Sequence, residues 1–205
     1  MRPEVKPYQP QIDILVQFAE GKIEGPALDV ALNTAPMQAL LEVFVEPRYP
    51  ASTNYWGKLQ CQDRVTLRGL VNSEGIINLF LGLAQVEFQP ANRYTKILSL
   101  LLRAVPDYID PPLEYLTEHI VPKDAALSDA QKKKQIKERL NQEFRCMGKP
   151  PKWIQSADWP ISGSTPLVFV GQIAIDAPDF FHDRGAAYLF FNPADGSNET
   201  VLQFY

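Results

Sequence analysis

The side chains best equipped for chemistry gather in one short stretch, Asp176-Ala-Pro-Asp179-Phe-Phe-His182-Asp183-Arg184, with three carboxylates, one imidazole and one guanidinium in nine positions. Oxygen and nitrogen donors of this kind can hold a divalent cation, and a histidine beside carboxylates is the usual equipment of a general base. The spacing fits neither a zinc site nor a calcium loop. Asp176 serves equally well as a turn cap, and Asp183-Arg184-Gly185 as a tight reversal carrying a local ion pair. The chain has two histidines, and the second, His119, falls at the end of an amphipathic helical pattern, where a helix terminus or solvent is its ordinary partner. Neither G-x-G-x-x-G nor G-x-x-x-x-G-K-[ST] occurs, and neither H-E-x-x-H nor G-x-S-x-G. The expectation is a chain without a catalytic set, metal or cofactor; a small metal-dependent hydrolase built on His182 is the alternative.

The elements that must position this stretch are strands. Thr165 to Ile175, Ala186 to Phe191 and Thr200 to Tyr205 are rich in β-branched and aromatic residues and bounded by Pro, Gly, Asn and Asp. Asp195-Gly196 supplies the positive φ that reverses the chain between the last two. A three-stranded antiparallel sheet is marginal alone, so its apolar face must be covered. Trp153 and Trp159, each close to prolines, are placed to pin that sheet to helices.

Upstream the pattern is helical. Helices are expected over Gln11 to Glu20, ended by Gly21, from Pro26 to Leu32, and over Met37 to Glu46, with Asn33-Thr34 as the cap of the third. Arg48 to Gly57 reads as a loop whose Tyr55 and Trp56 offer anchoring rings to a partner or fold back on the helices. Lys58 to Val71 fits either period. Further helices follow from Asn72-Ser73, over Asn92 to Ala104, after Pro111-Pro112, and from Ser128, where Ser-Asp-Ala-Gln131 is a capping-box sequence. In the last of these Ile136, Leu140 and Phe144 recur every four residues. The expected fold is α+β, with a mostly helical N-terminal part, residues 1–148, packed on a small C-terminal antiparallel sheet, residues 149–205.

Charge narrows the function classes. The net charge is −4, yet residues 153–205 carry six Asp/Glu against a single Lys/Arg. Such a tail repels phosphates and attracts a basic protein surface, which excludes nucleic acid as the expected partner. No apolar run approaches a membrane span, and the start lacks the charged and apolar regions of a signal peptide. Cys61 and Cys146, with no CxxC spacing, indicate neither a disulfide framework nor a zinc site. A cytoplasmic location is expected.

Phe18-Ala-Glu-Gly-Lys-Ile23, Pro150-Pro-Lys-Trp153-Ile-Gln, Trp159-Pro-Ile, Pro166-Leu-Val-Phe-Val-Gly-Gln172 and Val201-Leu-Gln-Phe-Tyr205 together resemble a family of bacterial immunity proteins. These are encoded beside polymorphic toxins of the contact-dependent, Rhs and type VI secretion kinds. The C-terminal text is also distantly similar to the sheet of YwqG-like proteins. What the resemblance implies is a cytoplasmic protein that binds a cognate toxin and blocks it, with no chemistry of its own. The residues expected to meet such a partner, a basic effector domain, are Asp176, Asp179, His182, Asp183 and Arg184, and secondarily Tyr55 and Trp56. The other binding reading is a regulatory or scaffold adaptor for an endogenous protein.

Overall fold

The computed structural model describes residues 6–43, 54–124, 126–176 and 183–205. The chain is α+β, with eight α-helices among the described residues followed by two small antiparallel sheets. It divides into two compact units, Met1–Ser99 and Leu100–Tyr205. The physical reason is aromatic: helical residues after 100 supply rings to the same core as the sheet, so they fold with it.

In the first unit a single 3-10 turn, Lys6–Tyr8, leads into α1, Gln9–Ala19, and then α2, Gly25–Leu32, and α3, Ala35–Val43. Ile12, Leu15, Phe18 and Ala19 form one fully buried stripe on α1, which packs against α2, α3 and α5. Gly21, at φ 73, ends it as expected. Thr34 stands at the start of α3, where its carbonyl accepts from the Gln38 amide at 3.0 Å, and Asn33 precedes it. The Asn33 and Thr34 side chains donate backward to the Asp29 and Ala31 carbonyls (2.9 and 2.8 Å) and so serve the end of α2. The expected stretch Val43 to Glu46 and the loop before Asn54 fall largely outside the described residues.

The ambiguous stretch from Lys58 is neither one strand nor one helix. Asn54 caps α4, Tyr55–Gln60, a turn follows, and Thr66 caps α5, Leu67–Leu83, by accepting from the Gly69 amide. The turn is held by Arg64. Its guanidinium, nine-tenths buried, grips the Asp29 carboxylate on α2 and the carbonyls of Leu59 and Gln62. Glu74 on α5 is also buried, and its carboxylate accepts from the amides of Tyr94 and Thr95 (3.3 and 3.0 Å) and from the Thr95 hydroxyl (2.6 Å). Those are orphan donors in the first turn of α6, Arg93–Ala104, so Glu74 caps that helix from a distance.

The second unit begins inside α6. It continues with α7, Leu113–Tyr115, which widens into a π turn over Leu116–Ile120, and with α8, Asp129–Glu143. The Ser128–Gln131 capping box is formed in both directions, and Ile136, Leu140 and Phe144 are buried as their spacing required. Two-residue strands β1, Ile161–Ser162, and β2, Thr165–Pro166, make a small hairpin. The main sheet has the order β3-β4-β5, with β3 Val168–Ile175, β4 Gly185–Phe191 and β5 Asn198–Phe204, all antiparallel. Cys146 adds a short parallel bridge to Phe169.

The buried face of this sheet carries Phe169, Ala186, Tyr188, Phe190 and Gln203. Trp159 stands at the centre of the aromatic core, its ring 5.3–6.5 Å from those of Tyr108, Phe144, Phe169 and Phe190, and its indole N–H donates to the Leu167 carbonyl at 2.8 Å. Trp153 donates to the Tyr108 carbonyl at 2.9 Å. Both tryptophans therefore fasten the strands to the preceding helical segment, as their flanking prolines led us to expect. No helix among the described residues is long and apolar enough to cross a membrane.

Candidate partner-binding surface

Strand register brings part of the chemically equipped stretch together. Ile175 pairs with Gly185, so the residues just beyond each, Asp176 and Arg184, meet across the strand ends. The Arg184 guanidinium lies 3.2 Å from the Asp176 carboxylate, with both side chains at least 70% exposed, and Asp183 is exposed beside them. An ion pair so open to water adds little stability, which leaves these groups at little cost for an outside partner. The amide of Tyr205 donates to the Arg184 carbonyl at 3.0 Å and fixes the backbone below the pair. Asp179 and His182 lie outside the described residues.

Tyr55 does not belong to a binding surface. Its side chain is 1% exposed and its ring meets Phe80 edge-on at 5.4 Å, so it is part of the core of the first unit. It begins a helix where a loop was expected, because Asn54 accepts from the Gly57 amide at 2.7 Å and turns the chain inward. Trp56 is half-buried on the same helix, and its buried indole N–H has no hydrogen-bond partner among the described residues. Both residues sit in the first unit, whereas the aspartates and Arg184 sit in the second.

The remaining candidates for chemistry are dispersed. Among the described residues no group of three or more His, Cys, Asp and Glu side chains is placed to hold a metal ion. His119 packs on the Tyr115 ring at 4.7 Å and lies 3.8 Å from Glu118. Burial pushes the Cys146 thiol up, which keeps it protonated and a weak nucleophile at neutral pH. A shallow cleft of about 230 Å³ is lined by Ala104, Pro106, Tyr108, Lys137, Leu140 and Asn141. That is smaller than the usual ligand pocket of roughly 300–1,000 Å³.

The sequence reading missed the other face of the main sheet. Register places Ile173, Ala187 and Leu202 in one row across the three strands, Gly171, Leu189 and Thr200 in the next, and Val168, Phe191 and Asn198 in the third. Ile173 is 72% exposed, Leu202 49%, Leu189 39% and Phe191 36%. The signal was present in β4, Gly-Ala-Ala-Tyr-Leu-Phe-Phe, which is apolar at every position and not only at alternate ones. A strand written that way expects cover on both sides.

Comparison with known proteins gives no match to a family model, to a curated protein or to a solved structure.

Proposed function

We propose that this chain is a binding protein that neutralises a secreted bacterial toxin by occupying it, in the manner of immunity proteins, and that it does so in the cytoplasm. The observation that carries this reading is the exposed charge at the end of the main sheet. Asp176 and Asp183 stand in solvent with Arg184 just beyond the paired ends of β3 and β4, within a tail of six acidic residues against one basic. Fixed, solvated carboxylates on a stable scaffold accelerate encounter with a basic protein and disfavour wrong partners. The sequence resemblance to immunity proteins supports the same reading, and the acidic tail fits a basic effector domain.

Co-expression with the product of the adjacent upstream gene tests it. The wild-type chain is expected to restore growth and to co-purify with that product. Asp176→Lys together with Asp183→Lys is expected to slow association about tenfold or more at low salt, with little change in melting temperature. No rescue by the wild-type chain removes the toxin reading; rescue that is indifferent to both reversals moves the contact elsewhere on the chain.

A further inference from the structure

The apolar outer face of the main sheet is unlike an ordinary solvent face. Its residues include no charge, and Ile173, Leu189, Phe191 and Leu202 stand in water on adjoining rows. At those exposures they present on the order of 300–400 Å² of apolar surface, within the range of the largest apolar patch of a folded monomer, which is often functional.

The charge around this face selects its occupant. Asp176 and Asp183 lie beyond one end of the strands and Asp195 in the turn at the other, and Arg184, already paired with Asp176, is the single Lys/Arg cation after Lys152. A second copy laid on this face would set acidic ends against acidic ends in either orientation. A partner with an apolar centre and Lys/Arg at its margins would satisfy both features. We infer that the outer face of β3-β4-β5 is the docking surface for such a heterologous basic protein, an inference that rests on the binding reading above for the partner's class and adds where and how it is held. Gly171 supplies the entry point. A side chain built there would meet nothing within 4 Å, so a partner residue can settle beside Leu189 and Ile173.

The test uses the full chain as wild type, as Gly171→Phe, and as the double variant Ile173→Lys with Leu202→Lys. Each is titrated calorimetrically with the purified product of the adjacent upstream gene, and each is melted alone. The double variant is expected to lose at least about 30-fold in affinity and Gly171→Phe about tenfold, with melting temperatures close to wild type. If wild type binds and both variants bind equally well, this face is not the docking surface although the toxin reading stands. If wild type does not bind that product, the toxin reading falls, and photo-crosslinking in the source cells decides the face. With p-benzoylphenylalanine at Ile173 and, as control, at exposed Val30, an adduct to a different protein through a Lys/Arg-rich peptide, formed only from position 173 and lost with Asp195→Lys and Asp176→Lys, supports the inference. An adduct to a second copy, or none specific to position 173, overturns it.

Discussion

The Trp153 ring lies over the Tyr188 ring with centroids 4.3 Å apart, and the Tyr188 hydroxyl binds the backbone on both sides of that tryptophan. It donates to the Lys152 carbonyl at 2.9 Å and accepts from the Ile154 amide at 3.0 Å. Gln203, buried one strand away, completes the clasp. Its carbonyl oxygen accepts from the Ile154 and Gln155 amides at 3.0 and 2.9 Å, and its amide donates to the Ser156 carbonyl at 2.8 Å. With Gln172, whose side-chain oxygen accepts from the Lys152 amide at 2.6 Å, three side chains of the sheet thus replace the strand partner that residues 152–156 lack. Gln203→Leu keeps the volume but strands these backbone groups, and is expected to cost about 2–4 kcal/mol. Tyr188→Phe leaves the Ile154 amide its Gln203 bond and should cost about 1 kcal/mol. Urea unfolding followed by tryptophan fluorescence measures both; a Gln203→Leu chain as stable as wild type would remove the clasp from this account.

Glu74 makes a charged cap out of a residue in the middle of a different helix. Its three accepted bonds serve the first turn of α6, where the partial positive charge of the helix end adds to their strength. Glu74→Gln replaces one acceptor oxygen by a donor facing donors, and an expected loss of about 1.5–3 kcal/mol follows. Circular dichroism at 222 nm through a urea titration reads it. Thr95→Val removes only the hydroxyl and should cost less.

These two clasps show where the sequence was readable. Signals that act within one turn came through: the Ser128–Gln131 box, the Ile136-Leu140-Phe144 seam and Gly196 at φ 77 between β4 and β5. The start of α5 was placed at Asn72 and not Leu67, because its turn is set by Arg64 reaching Asp29, 35 positions earlier. Long-range ion pairs leave no local trace. The sequence placed a local ion pair within Asp183-Arg184-Gly185 and read Asp176 as a turn cap; the pairing of Arg184 with Asp176 needed the strand register that brings the two ends together. Tyr55 was misplaced because an aromatic after Pro, Ser and Thr reads as loop until Asn54 is known to cap a helix. The outer face of the sheet needed the register, which decides which of Leu189 and Phe190 meets water.

Tyr115 predicts an alkaline sensitivity. Burial, and secondarily the Glu143 carboxylate, push its hydroxyl up to about 12, and that oxygen has no hydrogen-bond partner among the described residues. An unfolded tyrosine titrates near 10, so between roughly pH 10 and 12 the folded chain holds a proton that the unfolded chain has released. Stability from this group is intact below pH 10 and is lost as pH rises toward 12. Tyr115→Phe should make the decline shallower, since Tyr94, Tyr108 and Tyr188 are also raised by burial and keep part of it. At pH 7 the same change removes an unsatisfied buried hydroxyl and should raise stability by about 1 kcal/mol. Denaturation midpoints at pH 7 and pH 11 for the two proteins separate these effects.

Two glycines make a matched contrast of what the backbone demands. A Cβ at Gly69 would lie 1.6 Å from the Asp63 carbonyl oxygen, because the turn carrying Arg64 is folded against the first turn of α5. One of those backbones would have to move, and moving either one disturbs the Thr66 cap or the Arg64 grip on Asp29. Gly69→Ala is therefore expected to cost more than about 3 kcal/mol although it adds a single methyl group to a helix that otherwise favours alanine. Gly171→Ala adds the same methyl group to open space on a strand and removes a glycine's excess freedom in the unfolded chain, so it should be neutral or stabilise by about 0.5–1 kcal/mol. Thermal melts of the two variants side by side give the answer. A Gly69→Ala chain that melts with wild type would mean that the Asp63 turn does not lie against α5.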